Sequence, residues 1–170
     1  MSVRRIGVLT GGGDVPGLNS AIKGIVEAGF IEGYEILGIC RGWEGLTHIN
    51  FEDADSMARY TMPLNRSNTR TIDRTGGTIL HTSRTNPIKM KSIPDHLKGV
   101  EFPAANSSKG TIYDVTGQVL KNIERLQMDC LITIGGDDTL TFASILDSRG
   151  VPVVAIPKTM DNDVRNTEYC

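Results

Sequence analysis

The sequence predicts an α/β fold, built as a Rossmann-like, mostly parallel sheet with helices on both faces. Apolar runs of strand length alternate with segments of helical periodicity, an order typical of βαβ units. The runs are apolar at successive positions, as expected for strands covered on both faces. Several runs end in glycines, which favour tight turns at the strand ends.

The N-terminal part of the chain predicts a strand, a helix and a second strand. Residues 4–10 (RRIGVLT) form a short apolar run that ends in glycines. Residues 17–30 place four apolar side chains on one helical face: Leu18, Ile22, Ile25 and Val26. Residues 34–42 (YEILGICRG) read as the second strand.

The middle of the chain shows weaker periodicity. Residues 43–75 are polar, and we predict only a short helix there, at 68–74. Residues 75–83 (TGGTILHTS) predict a strand or a turn that begins at glycines. Residues 85–110 contain three prolines and the run ANSSKG, so we expect mainly a surface loop. A loop of that length is typically functional or mobile.

The C-terminal part of the chain returns to clear alternation. Residues 111–127 predict an amphipathic helix with this apolar face: Ile112, Val115, Val119, Leu120, Ile123 and Leu126. A strand at 130–136, a helix at 138–150 that ends at Gly150, and a strand at 151–157 follow.

Composition excludes several classes of protein. A length of 170 residues suits one domain with a sizeable core. The net charge of -2 argues against nucleic acid or an anionic membrane surface as a partner. No apolar run approaches the roughly 20 residues that span a bilayer. Cys40, Cys130 and Cys170 lack metal-like spacing, so we expect free thiols and a cytoplasmic protein.

A glycine-rich turn follows the first predicted strand, at residues 10–19 (TGGGDVPGLN). Ligands of open α/β sheets bind beyond the carboxyl ends of the strands. Glycines there let backbone N–H groups approach an anion, with the next helix directing its positive end at it. No Gly-Lys-Ser/Thr follows, which excludes a Walker loop. A dinucleotide-binding domain stays an alternative, although no acidic residue ends the second strand.

Carboxylates follow two later strands, in IGGDDTL (134–140) and PKTMDND (157–163). Adjacent strand ends are expected to gather four of them in one cleft: Asp137, Asp138, Asp161 and Asp163. Their mutual repulsion calls for a cation, which Mg²⁺ and Lys158 would supply. One carboxylate would bind metal, and another would accept a proton from a substrate hydroxyl. Capping of the following helix by Asp138 or Thr139 is the structural alternative.

Arg84 follows the glycine-led segment at 75–83. Its guanidinium matches phosphate geometry and would stabilise a transferring phosphoryl group, although a plain surface arginine is the alternative. His48, His81 and His96 are isolated in the sequence, so we expect packed or exposed histidines.

Four segments in this order resemble the 6-phosphofructokinase family: GVLTGGGDVPGLN, GGTILHTSRTNP, TIGGDDTL and PKTMDNDV. The resemblance covers essentially the whole chain, with a longer polar stretch at 91–110 than compact bacterial members carry. It implies Mg²⁺-dependent phosphoryl transfer to the 1-hydroxyl of fructose 6-phosphate, and the N-terminal lobe of the phosphofructokinase fold.

The resemblance also implies roles on the donor side of the site. Gly13 and Gly136 match positions that contact the phosphoryl donor. Arg84 resembles the arginine that bridges the transferring phosphate groups. Asp137 matches the Mg²⁺ position, and Asp163 resembles a second acidic partner of the metal.

On the acceptor side, Asp161 matches the base that takes the 1-hydroxyl proton. It lies with Thr159 and Met160 in the segment that contacts fructose 6-phosphate. Asp138 and Lys158 resemble the pyrophosphate-dependent branch, because typical bacterial ATP enzymes have glycine at both positions. Electrostatics favours the same donor, because the Asp138 carboxylate would repel the α-phosphate of ATP and Lys158 would neutralise the charge of pyrophosphate. ATP remains the alternative donor.

Family members are about twice this length or more, with a second lobe that binds the sugar phosphate. The resemblance therefore implies that residues 1–170 are a donor-binding N-terminal lobe, that the full-length protein is a homo-oligomer, and that this fragment alone is inactive. A non-catalytic module that binds phosphate or nucleotide is the alternative of another class.

Overall fold

A computed structural model describes residues 4–108 and 110–162. The strands, in chain order, are β1 (Arg5–Thr10), β2 (Glu35–Ile39), β3 (Thr61–Leu64), β4 (Ala104–Ser107), β5 (Gly110–Tyr113), β6 (Cys130–Gly135) and β7 (Val153–Pro157). The helices are α1 (Leu18–Glu32), α2 (Trp43–His48), α3 (Ala54–Tyr60), α4 (Thr116–Arg125) and α5 (Asp137–Ser148). Short 3₁₀ helices lie at Ile72–Arg74 and Asp95–Leu97.

In the part of the chain that the structure describes, the main sheet has five strands in the order β3-β2-β1-β6-β7. All neighbours are parallel except β3, which runs antiparallel to β2. The predicted mostly parallel α/β sheet is therefore confirmed. Thr10 pairs with Ile134, and Gly135 with Pro157. This register brings the carboxyl ends of β1, β6 and β7 to one edge of the sheet.

Helices cover both faces of the sheet, as predicted. On one face, α1 packs Leu18, Ile22 and Val26 against Val8 and Ile134. On the other face, α2, α4 and α5 supply a second buried cluster that includes Trp43, Leu46, Val119, Ile123, Phe142 and Leu146. The helical spacing of apolar residues in 17–30 and 138–150 thus correctly predicted the faces of α1 and α5 that are buried against the sheet.

The expectation that every strand is covered on both sides is wrong for β7. Val154 is 51% exposed, and none of the five β7 residues is buried. This strand pairs only with β6 among the described residues, so it forms one edge of the sheet.

The segment 43–75 is more ordered than its polar sequence indicates. It contains α2, α3 and β3, none of which we predicted. The predicted helix at 68–74 is reduced to a 3₁₀ turn at Ile72–Arg74. Residues 75–83 form turns rather than a strand.

The region 85–110 is not simply a loop. Strands β4 and β5 pair as an antiparallel hairpin, and Asp95–Leu97 form a 3₁₀ turn. The predicted helix at 111–127 is correspondingly too long at its N-terminus, because Gly110–Tyr113 belong to the hairpin. Helix α4 begins at Thr116, where the Asp114 carboxylate accepts the Thr116 N–H at 2.8 Å.

Two further expectations can be compared with the described residues. No helix in 4–108 or 110–162 has the length and apolarity needed to cross a membrane. Cys40 and Cys130 are free, as predicted, and burial raises the pKa of both thiols. Cys170 lies outside the described residues.

Helix α1 offers a direct test of this core. Ile22 is 0% exposed, whereas Ile31 on the same helix is 78% exposed. We expect Ile22→Ala to lower the free energy of unfolding of the 170-residue chain by about 2–5 kcal/mol, because it leaves a cavity. Ile31→Ala should cost about 0.5 kcal/mol or less. Urea unfolding measures both, and equal losses would contradict the packing of α1.

Candidate functional site

A cleft of about 430 Å³ lies at the carboxyl ends of β1, β6 and β7. We call it the donor-edge cleft, and it is lined by Gly12, Gly13, Arg84, Gly136, Asp137, Asp138, Thr139, Lys158, Thr159, Met160 and Asp161. Every predicted site residue in the described ranges lines it. Asp163, the predicted second metal ligand, lies outside those ranges.

The glycine turn after β1 closes tightly on the turn after β6. The Gly11 N–H donates to the Ile134 carbonyl at 2.8 Å. A Cβ on Gly11 would lie 2.3 Å from Thr139 Oγ1, so only glycine fits there. Gly12 has a φ of 76°, a conformation that also favours glycine. These contacts explain why the strand ends in consecutive glycines.

Lys158 ties the segment after β7 to both other turns. Its backbone N–H donates to the Gly135 carbonyl at 3.0 Å. Its Nζ donates to the Gly13 carbonyl, across the cleft from β7 to the turn after β1. The Lys158 ammonium therefore lies against the glycine turn, so a bound anion could contact the ammonium and the backbone of the turn together.

The two adjacent carboxylates lie in the first turn of α5. Its N-cap is Gly136, which has no side chain to make a capping hydrogen bond. Asp138 and Thr139 therefore lie inside the helix rather than at its N-cap position. The positive end of the helix dipole favours negative charge at this position, from Asp137 and Asp138 or from a ligand.

Arg84 is exposed and reaches the cleft from the segment that follows the turns at 75–83. That segment is held by hydrogen bonds: Thr10 Oγ1 donates to the His81 carbonyl at 2.9 Å, in a partly buried position, and lies 3.0 Å from Thr78 Oγ1, where the contact is buried. Asn19, which is 2% exposed, donates its side-chain amide to the Thr75 carbonyl at 3.0 Å. These bonds fasten the stretch that leads to Arg84.

The prediction that α1 directs its positive end at the anion site is wrong. The Asn19 N–H in the first turn of α1 donates to the Gly77 carbonyl at 2.9 Å, so a backbone oxygen already occupies this end. Neither Leu18 nor Asn19 lines the cleft. Instead, the N-terminus of α5 faces it, through Gly136, Asp137 and Asp138.

Two residues that line the cleft, Gly12 and Thr139, lie outside the predicted set of site residues. Gly12 belongs to the predicted glycine turn but was not singled out. Thr139 is 4% exposed and lines the cleft, although its sequence position indicated only a cap. The adjacent Asp138 and the two glycines just before it in IGGDDTL were the sequence signals that could have identified it.

The described residues of the cleft suit a metal ion, such as Mg²⁺, that takes only a few of its ligands from the protein. In residues 4–108 and 110–162, no three side chains of His, Cys, Asp or Glu are close enough to form a metal cage. Mg²⁺ is typically bound by one or two carboxylates together with substrate phosphate oxygens and water. Asp137 in the first turn of α5 fits that pattern.

The family model described as Phosphofructokinase matches residues 5–170. The chain belongs to the phosphofructokinase family. A pyrophosphate–fructose 6-phosphate 1-phosphotransferase of Dictyoglomus thermophilum is 41% identical over 99% of this chain. An ATP-dependent 6-phosphofructokinase of Spirochaeta thermophila is 36% identical over 98% of it. In both cases the chain covers 40% of the relative's length.

The solved phosphofructokinase structure from Pichia pastoris, in the T-state, shares the fold. It superposes with a TM-score of 0.73 at 22% identity, over 99% of this chain and 16% of the other. At that identity the likeness establishes the family fold and leaves the donor open. Relatives named for pyrophosphate and for ATP both occur at similar identity.

Two hollows larger than the cleft lie elsewhere in this phosphofructokinase-family chain. One of about 490 Å³ lies near Arg5 and Tyr34, away from the carboxyl ends of β1, β6 and β7. The other, about 690 Å³, is lined partly by His48 and His96. Burial lowers the pKa of His96, and His48 adds to this effect. Neither hollow is lined by any predicted site residue, so the candidate site is not the largest hollow of the described residues.

Proposed function

We propose that this chain is the donor-binding part of a Mg²⁺-dependent phosphotransferase. The reaction would move a phosphoryl group from pyrophosphate to the 1-hydroxyl of fructose 6-phosphate, giving fructose 1,6-bisphosphate and inorganic phosphate. The observation that carries the proposal is the meeting of Asp138, Lys158 and Asp161 in one cleft. Asp161 would act as the base, Lys158 would supply a compact positive charge, and the Asp138 carboxylate would repel a longer donor.

The proposed chemistry needs one proton acceptor in the cleft. The Asp161 carboxylate accepts the proton of the 1-hydroxyl as that oxygen attacks the nearer phosphorus of pyrophosphate. A bond forms between the sugar oxygen and phosphorus, and the bridging P–O bond breaks. Inorganic phosphate leaves with the electron pair of that bond.

Cations and backbone dipoles at the cleft would stabilise the charge that develops on the oxygens. Arg84 and Lys158 supply the positive side chains. The turn at Gly12 and Gly13 and the N-terminus of α5 add N–H groups. We assign the donor phosphates to this part of the cleft, with Gly136 among their contacts.

We assign the metal to Asp137, with Asp163 as its second acidic partner. When bound, Mg²⁺ would neutralise charge on the phosphate oxygens and hold them in line with the acceptor. The side chains beside it would orient the donor and keep the Asp161 carboxylate free to accept a proton.

Pyrophosphate is the preferred donor because of the charge pattern at two positions. The Asp138 carboxylate would repel the extra phosphate of ATP, and Lys158 would neutralise the small, highly charged diphosphate. ATP is the second candidate, supported by the similarity to ATP-dependent relatives such as that of Spirochaeta thermophila.

The rest of the enzyme would lie outside these residues. We propose that 1–170 form the N-terminal lobe of a longer, cytoplasmic, homo-oligomeric protein whose second lobe binds most of the sugar phosphate. Thr159 and Met160 would contribute sugar-phosphate contacts from this lobe. The proposed length accords with the 40% coverage of the relatives.

An omission experiment tests the reaction. Purified full-length protein should form fructose 1,6-bisphosphate only when pyrophosphate, fructose 6-phosphate and Mg²⁺ are all present, and residues 1–170 alone should form none. Donor binding to full-length protein without any product would instead favour a non-catalytic phosphate-binding module.

The metal assignment makes a separate prediction. In the full-length protein, Asp137→Asn should raise the Mg²⁺ concentration for half-maximal rate by at least about tenfold, because it removes a charged ligand. A Mg²⁺ titration of the rate measures this value. Asp147→Asn, at an exposed position of the same helix, is the matched control. Equal values for both variants would remove Asp137 from the metal site.

A further inference from the structure

A second, smaller cavity adjoins the donor-edge cleft. It has a volume of about 300 Å³ and shares Gly12, Arg84, Asp138 and Thr139 with the cleft. It contains neither Asp161 nor Lys158, so it extends from the shared residues away from the proposed base. A donor with its transferring group beside Asp161 would direct any additional groups toward this cavity.

Trp43 forms part of the cavity wall. It is 3% exposed, and its ring meets Phe142 edge-on with 4.8 Å between centroids and 82° between planes. Gly42, with a φ of 57°, fixes the start of α2 against β1, because a Cβ there would lie 2.7 Å from the Thr10 carbonyl oxygen. The indole is therefore a fixed part of the wall.

The burial of Trp43 decides how it can act on a ligand. Stacking of a nucleobase requires an open ring face. A side chain that is 3% exposed offers none, so this indole occupies space that a larger ligand would need. Shortening it would enlarge the cavity on the side away from Asp161.

The indole N–H gives an independent reason to look for a functional role. Trp43 Nε1 is buried and has no hydrogen-bond acceptor among the described residues. A buried donor without a partner destabilises the folded chain relative to an apolar group of similar size. Core packing alone therefore does not favour tryptophan at this position.

We propose that Trp43 is a specificity-determining residue that limits the size of the cavity beside the donor site, leaves too little room for a nucleoside group and so favours inorganic pyrophosphate. This inference rests on the proposed function of the donor-edge cleft. It assigns to Trp43 a steric role, beside the electrostatic role of Asp138.

The test uses full-length protein in an Asp138→Gly background, so that charge repulsion no longer hides a steric effect. Trp43→Ala and Trp43→Phe are compared with Ile49→Ala, which shortens a 2% exposed residue of the same core cluster that does not line the cavity. The readout is the ratio of kcat/KM for ATP to kcat/KM for pyrophosphate.

We expect Trp43→Ala to raise this ratio by at least about tenfold, Trp43→Phe to raise it less, and Ile49→Ala to leave it within about twofold. Equal ratios in Trp43→Ala and Ile49→Ala would overturn the inference while phosphoryl transfer stands. If Trp43→Ala does not fold, Trp43→Leu is read by the same criterion. A protein that transfers from neither donor would overturn the proposed function and this inference together.

Discussion

Replacement of Asp161 by asparagine is expected to lower kcat for fructose 1,6-bisphosphate formation by about 10²–10⁴-fold. Asparagine keeps the size of the side chain but cannot accept the hydroxyl proton. The apparent KM values for donor and sugar phosphate should change by only a few fold, because the lost interaction acts in the transition state. Steady-state kinetics of the full-length protein gives both quantities.

Asp147→Asn is the matched control for Asp161→Asn. It makes the same chemical change at an exposed position on α5, away from the donor-edge cleft. Its kcat should equal that of the unaltered protein. If Asp161→Asn retained more than about a tenth of the rate, another group would have to accept the proton and the assigned mechanism would be wrong.

The double replacement Asp138→Gly with Lys158→Gly is expected to reverse the donor preference. Loss of the lysine removes the charge that lies on the glycine turn and should lower kcat/KM for pyrophosphate by about 10²–10³-fold. Loss of the carboxylate removes repulsion of the longer donor, so kcat/KM for ATP should rise. The ratio of kcat/KM for ATP to kcat/KM for pyrophosphate measures the change in donor preference.

A matched pair elsewhere in the chain controls for the removal of two opposite charges. Asp95 and Lys98 form an exposed ion pair at 2.7 Å, and neither lines the cleft. Asp95→Gly with Lys98→Gly should leave the donor ratio unchanged. A double cleft variant that loses both donors equally would show that these residues support catalysis without selecting the donor.

The parallel core of this fold could be predicted from sequence because its signal is local. Strands β1, β2, β6 and β7 are apolar runs between turn residues, and α1 and α5 repeat apolar residues at helical spacing. The cleft could be predicted because parallel strands end at one edge, which fixes where their following residues meet.

The elements that the sequence did not predict depend on tertiary contacts. Strand β3 has only four residues and contains Pro63, and it exists because it pairs with β2 at the sheet edge. Helices α2 and α3 have six and seven residues, too short to show a clear period. The role that we propose for Trp43 was hidden for the same reason, since only packing places it in the wall of a cavity that Asp138 also lines.

The end of α1 illustrates a second limit. Glycines before a helix predict an open anion site, yet which helix N-terminus remains open depends on what packs over it. Here the Gly77 carbonyl occupies the first turn of α1, and α5 lines the cleft instead. The loop that contains Gly77 is distant from α1 in sequence, so the local sequence pattern could not show that this loop covers the start of α1.

The most direct test of the central claim is a side-by-side measurement of phosphoryl transfer to fructose 6-phosphate by the full-length protein, with pyrophosphate or ATP as donor and Mg²⁺ present. We predict fructose 1,6-bisphosphate formation with a kcat/KM for pyrophosphate that exceeds that for ATP by at least about 100-fold. Transfer from ATP alone would contradict the donor assignment of Asp138 and Lys158, and absence of transfer from both would contradict the proposed reaction itself.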